Sequence, residues 1–322
     1  MQRIFRVLGL LAAMLAGSTV MRADQSQVQS LKITLLSTML ADGPTLGEWG
    51  FSALVEADGH RILFDTGAHD DIVLKNAQAL HLDLSTVPDV VLSHSHSDHV
   101  GGLMTLRRAM QARAPGALAV AHVGEGMFYS RSEDGAPAES NPMIAIRPQY
   151  EATGAHFVSH PKPAEIYPGI WLTGPVPRKY PERNWSGSGT VRGPAGVVED
   201  TIPEDMALVC VTAKGLVVIT GCGHAGVINI LDDVRGFLGP APVHALIGGI
   251  HLFNATDATV AWTGEKLKSF GVENFLGAHC TGIETVYLLR PALGLDRAHA
   301  VVGAVGAGFS LERGLDPGNI VQ

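Results

Sequence analysis

Ser93-His94-Ser95-His96-Ser97-Asp98-His99-Val100-Gly101-Gly102 packs three imidazoles and one carboxylate into six residues, directly behind the apolar run Val90-Val91-Leu92. An apolar run ahead of a polar cluster reads as a buried strand delivering functional side chains at its C-terminal end. Side chains two apart on an extended chain point the same way, so His94 and His96 converge on one position. The turn that follows re-aims Asp98 and His99 toward a second position close by. Neutral imidazole and carboxylate are donors that zinc and similar divalent ions accept, so the stretch reads as a metal site.

Composition fits one large domain. The 322 residues are 46% hydrophobic and 17% charged, with 38 Gly and 18 Pro, which suits a well-covered sheet joined by tight connections. A formal charge of −8 argues against nucleic acid as the partner. Residues 1–23 stand apart: Arg3 and Arg6 precede an uncharged apolar run from Val7 to Met21, the form of a secretory signal peptide. The run is short for a membrane span, so no stable span is expected after cleavage, and the protein is expected to be exported, periplasmic or secreted. Residues 24–30 are a short linker and 31–322 a single domain. Cys210, Cys222 and Cys280 do not make a disulfide framework.

Strands are expected over residues 31–39, 49–57, 61–64, 87–92, 117–122, 166–174, 206–212, 216–220, 243–250, 274–276 and 300–309. Helices are expected over 71–80, 100–113, 227–237 and 258–270. Two stretches, 124–160 and 175–205, read as long loops over the site. The second carries Arg178, Lys179 and Arg183 with Tyr180 and Trp185, suited to an anionic or aromatic small molecule, or else simply solvated. One pattern recurs: an apolar strand ends in a polar turn. The turns hold Asp65, His94 to His99, Cys222 to His224, His279-Cys280 and His251. In layered α/β folds such strand ends gather on one edge of a sheet. Asp65 there either holds a metal-bound histidine or caps a turn, and His251 and Cys280 sit beside the metal or the substrate. His122, ending a strand, is a further candidate for touching substrate.

The His94-Ser95-His96-Ser97-Asp98-His99 run and Phe64-Asp65-Thr66-Gly67 resemble the motifs of the metallo-β-lactamase fold superfamily. Thr220-Gly221-Cys222-Gly223-His224-Ala225-Gly226, Gly248-Gly249-Ile250-His251-Leu252 and His279-Cys280-Thr281-Gly282 look most like its branch named for 7,8-dihydropterin-6-methyl-4-(β-D-ribofuranosyl)-aminobenzene-5'-phosphate synthase. The resemblance implies an α/β fold, an αββα four-layer sandwich with two mixed β-sheets face to face and helices outside. It implies His94 and His96 in a first metal site, and Asp98, His99 and His279 in a second. Many superfamily hydrolases have a Thr-Pro-Gly-His turn where this chain has Leu172-Thr173-Gly174-Pro175, and a bridging aspartate where it has Cys222. His224 is the substitute for the missing imidazole, and Cys222 is either a thiolate ligand or a packed thiol.

The expected chemistry is that of a metallo-hydrolase. One or two ions, Zn2+ or else Mn2+ or Fe2+, activate water against a small ester, lactone, amide or phosphoester, with Asp98 as the catalytic carboxylate. The alternatives are a synthase-like transferase, or a non-catalytic metal- or ligand-binding protein of the same fold.

Overall fold

The computed structural model describes residues 25–133, 138–184 and 189–318. The expected signal peptide and Trp185 lie outside those residues. Among the described residues no helix is long and apolar enough to cross a membrane.

The apolar strands assemble into two mixed sheets. The first has the spatial order Gly314–Asp316, Gly308–Ser310, Leu31–Ser37, Ser52–Ala57, His60–Phe64, Asp89–Leu92, Val120–Gly124, His156–His160. The second runs Ala300–Val302, Phe275–Gly277, Val243–Gly248, Gly215–Thr220, Leu208–Thr212, Ile170–Leu172, Ala164–Tyr167. In each, antiparallel hairpins pass into parallel strands: His60–Phe64 pairs parallel with Asp89–Leu92, and Gly215–Thr220 with Val243–Gly248. Parallel neighbours need crossovers, and these are the helices.

Side-chain alternation sorts each strand between two cores. Val91, Phe64 and Ile62 of the first sheet meet Val217, Ile219 and Ile247 of the second, and Cys210 packs among them as a small buried thiol. Val90 and Leu92 face the other way, onto helices Ile72–Ala79, Leu103–Gln111 and Pro142–Glu151. Helices Val227–Leu238, Asp257–Ser269 and Ile283–Leu293 cover the outer face of the second sheet. Helix, sheet, sheet, helix is the four-layer arrangement that two half-buried sheets require.

Several expected boundaries are corrected. The helix expected over 100–113 is two, Ser97–Val100 and Leu103–Gln111, divided at Gly101 and Gly102. A Cβ on Gly101 would lie 2.0 Å from the Ala68 carbonyl oxygen, so the break lets the turn after Asp65 pass close by. The stretch 124–160 is not a loop. It holds strand Ser130–Glu133, helix Pro142–Glu151 and strand His156–His160. The stretch 175–205 contains the hairpin Gly189–Gly193 and Gly196–Glu199, which joins Ser130–Glu133 in a small third sheet. The strand expected over 300–309 is two strands in different sheets, and the one expected over 166–174 is a hairpin. Val28, in the expected linker, is buried and bridges Thr212.

Candidate metal centre

All five strand-end turns meet at one edge where the two sheets come together. His94 and His96 follow strand Asp89–Leu92, Asp65 follows His60–Phe64, Cys222 and His224 follow Gly215–Thr220, His251 follows Val243–Gly248, and His279 follows Phe275–Gly277. Asp65, His251 and His279 hold positive φ angles of 55°, 51° and 47°. Non-glycine residues adopt that region at a cost of about 1–3 kcal/mol, which the surroundings must impose. Gly221 is required by close packing: a Cβ there would sit 2.6 Å from Asp65 Oδ2.

The ligand atoms fall into two trios. His94, His96 and His224 each offer an atom within 4.8 Å of the others, and so do Asp98, His99 and His279. Cys222 Sγ makes a further group with His94 and His99, and lies 3.1 Å from His99 Nε2. Cys222 also groups with His279 and Cys280, and with His224 and His251, so it is central to the cluster.

Neighbours fix the imidazole tautomers. His94 Nδ1 lies 3.0 Å from Ser93 Oγ, His99 Nδ1 lies 2.7 Å from Asp65 Oδ2, and His224 Nδ1 lies 2.6 Å from the Asn184 carbonyl. Each contact occupies Nδ1 and leaves Nε2 for the centre. Asp65 also accepts the Ser93 amide at 2.7 Å, so it ties the metal turn to the adjoining strand rather than capping a helix. His94 Nε2, His224 Nε2 and both ring nitrogens of His279 are buried without a hydrogen-bond partner. Asp98 Oδ2 approaches His279 Nε2 to 3.3 Å, an ion-pair distance without hydrogen-bond geometry. Buried polar atoms left without partners are costly, and several converging on one space fit a divalent cation.

Burial and neighbouring imidazoles hold His94 and His224 well below the usual histidine range, and burial pushes His96 down to about 4. These rings are therefore neutral, the form that ligates metal. His99 goes the other way: burial lowers it, but the Asp98 and Asp65 carboxylates outweigh burial and raise it to about 9. Burial raises Asp98, yet His99 and His279 hold its carboxyl far below the usual carboxylate range.

Residues 50–198 match the family model described as Metallo-beta-lactamase superfamily. A solved metal-dependent hydrolase of the beta-lactamase superfamily superposes with TM-score 0.66 at 26% identity, covering 82% of this chain and 94% of that one. The chain carries a metallo-beta-lactamase domain match and has the metallo-beta-lactamase fold. It is similar to the 7,8-dihydropterin-6-methyl-4-(beta-D-ribofuranosyl)-aminobenzene-5'-phosphate synthase of Methanocaldococcus jannaschii, 27% identical over 286 residues, 85% of this chain and 96% of the relative. Zn2+-bound PqqB from Methylobacterium extorquens shares the fold, with TM-score 0.52 at 14% identity over 87% of this chain and all of that one.

Several of the expected site residues make contacts of their own within the chain. Arg178 is held by backbone carbonyls of His224, Thr201 and Ile202. Its Nη1 donates to the His224 carbonyl at 2.5 Å and fixes the turn that carries that ring. Lys179 pairs with Asp232 and Arg183 with Glu199. His122 bonds to His160 and Asp89, a network separate from the metal cluster. Cys280 is buried beside Cys222, and its Sγ lies 3.9 Å from the Cys222 carbonyl. Sequence reasoning missed Glu204, whose Oε1 accepts the Ser95 amide at 3.1 Å and whose other oxygen pairs with Arg131. It missed the Asn184 carbonyl, since a backbone acceptor has no signature in a sequence. It also missed Trp49 and Phe253, whose rings lie beside His279 and His251.

Proposed function

We propose that this protein is a metal-dependent hydrolase of a small ester, lactone, amide or phosphoester, with zinc, or manganese or iron(II), held by His94, His96 and His224 and by Asp98, His99 and His279. The observation that supports this most is the set of buried, partnerless imidazole nitrogens converging from both sheets, their tautomers set by Ser93, Asp65 and Asn184. When bound, a divalent ion there supplies a water of lowered pKa and polarises the oxygen of the bond to be cut. Asp98 orients the attacking water and takes its proton. It suits that role because its side chain keeps 20% exposure where His99 and His279 keep none. Cys222 Sγ lies within 4.8 Å of ligand atoms of His94 and His99, as a thiolate ligand or a packed thiol. The reading takes the substrate as a small molecule, an anionic one included, and takes the protein as exported on the strength of Arg3, Arg6 and the apolar run behind them. N-terminal sequencing of protein recovered outside the cytoplasm tests export.

Metal analysis of the purified protein, followed by chelation and re-addition of zinc or manganese across an ester, lactone and phosphoester panel, tests the reaction. Turnover that disappears with the metal and returns with it is the expected result. Turnover indifferent to both would sink the proposal. A second reading, a transferase like the relative from M. jannaschii, is favoured by similarity that runs along 96% of that relative. It predicts formation of that relative's named product and no hydrolysis. Stoichiometric metal with neither reaction would leave a metal- or ligand-binding protein.

A further inference from the structure

Two large aromatic side chains, Trp49 and Phe253, stand beside the metal cluster with 44% of each open to solvent. Their rings meet edge to face at 5.2 Å and 75°. Trp49 lies 5.0 Å from the His279 ring, and Phe253 lies 5.4 Å from the His251 ring. His96, Asp98 and His251 are the partly exposed members of the cluster, while His94, His99, His224 and His279 are buried. The aromatic pair therefore borders the side on which the centre opens.

The backbone beneath each ring is anchored. Trp49 sits between two anchored neighbours. Buried Glu48 accepts from Ser37 Oγ at 2.7 Å and from the His69 amide at 2.8 Å. Gly50 is packed so closely that a Cβ would lie 2.7 Å from the Ala68 nitrogen. The Phe253 amide donates to the Cys280 carbonyl at 3.1 Å, and a Cβ on Gly282 would lie 2.8 Å from Phe253 Cα. A backbone held this firmly keeps apolar area in water at a binding site, where a ligand can recover it.

We infer that Trp49 and Phe253 wall a subsite for a planar aromatic ring of the substrate, carried next to the group that the metal cluster engages. Two rings at a steep angle make a corner. A flat ring stacks on one face and meets the edge of the other, the two geometries aromatic quadrupoles favour. A saturated ring of equal bulk gains area burial alone. The inference rests on the proposed metal site, which must hold the polar end of the ligand.

The test uses binding rather than turnover. The zinc-loaded protein is titrated with phenylphosphonate, cyclohexylphosphonate and methylphosphonate, followed by calorimetry. Phenylphosphonate is expected to bind about two- to tenfold tighter than the cyclohexyl compound. That ratio is expected to fall to near one in Trp49→Leu, which keeps apolar bulk, and to shrink in Phe253→Leu, with zinc content and melting temperature as folding checks. Equal affinity for the two rings overturns the inference, as does a preference that survives in both variants. Failure of all three phosphonates to bind overturns it too. A clear phenyl preference without turnover of any ester, lactone, amide or phosphoester would uphold the subsite while removing the hydrolase reading.

Discussion

Asp65 concentrates the chemistry of the centre in one carboxylate. It accepts from the Ser93 amide and hydroxyl, and it holds His99 Nδ1 at 2.7 Å. With Asp98 it raises His99 to about 9 against the effect of burial. In the metal-free protein that raised value adds stability which is complete below the ordinary 6.5 and is lost as the pH climbs through about 9. A metal must displace the proton on Nε2, so zinc affinity should rise about tenfold per pH unit through neutrality and level off near 9. Asp65→Asn keeps the size and one acceptor but removes the charge. It should weaken zinc binding about 10- to 100-fold at high pH and flatten the slope between pH 7 and 9. Competition with a chromophoric chelator across that range measures both effects. An Asn variant with the wild-type slope would show that Asp65 does not govern His99.

At the scale of elements, the apolar strands and their polar ends were legible because both are local patterns: alternation or continuous apolarity, then histidine or aspartate. The hairpin Gly189–Gly193 and Gly196–Glu199 was not, because it is largely exposed and glycine-bearing and offers no alternation to read. Helix Pro142–Glu151 was hidden by Pro148 inside it. Glu182 was hidden for a different reason, since its role depends on a partner far along the chain. Its carboxylate accepts the amides of Ile228 at 3.2 Å and Asn229 at 2.9 Å, capping helix Val227–Leu238 from a remote segment. The same segment carries the Asn184 carbonyl that orients His224. Burial raises Glu182 from 4.5 to about 7, against the pull of those amides. The folded state thus holds this proton more tightly than the unfolded one, and the group's contribution to stability falls as pH rises from 4.5 to about 7. Glu182→Gln should remove that slope in urea denaturation. Glu182→Ala leaves two amides without partners and should cost about 1–3 kcal/mol while also weakening zinc binding through the freed Asn184. A Gln variant with the slope intact would assign it to another group.

For the whole molecule, the candidate metal centre belongs to neither sheet alone. The turn from His94 to His99 comes from the first, and Cys222, His224, His251 and His279 come from the second. Among the described residues, His99 Nε2 reaches Cys222 Sγ at 3.1 Å across that edge, and bonds to the backbone join the two as well. The Ser95 amide reaches Glu204, the Met206 amide reaches the Ser93 carbonyl at 3.1 Å, and the His279 amide reaches Thr38 Oγ1 at 3.0 Å. The recurrence of histidine-bearing strand ends was visible in the sequence. That they meet across two sheets follows only from the pairing order, which no local pattern encodes. A metal held by both sheets stabilises the folded state with the logarithm of its free concentration, by about 2.7 kcal/mol at a hundred times its dissociation constant. Its removal should therefore loosen both halves of the edge at once. In amide hydrogen exchange, chelation should release the segments around His94 to His99, Cys222 to Gly226 and His279 to Gly282 together. The turns at Asp58-Gly59 and Ala213-Lys214 lie at the far ends of strands leading to the site and should keep their protection. Release confined to the first sheet's turn would mean that His224 and His279 do not share the metal, and the two-sheet centre would have to be abandoned.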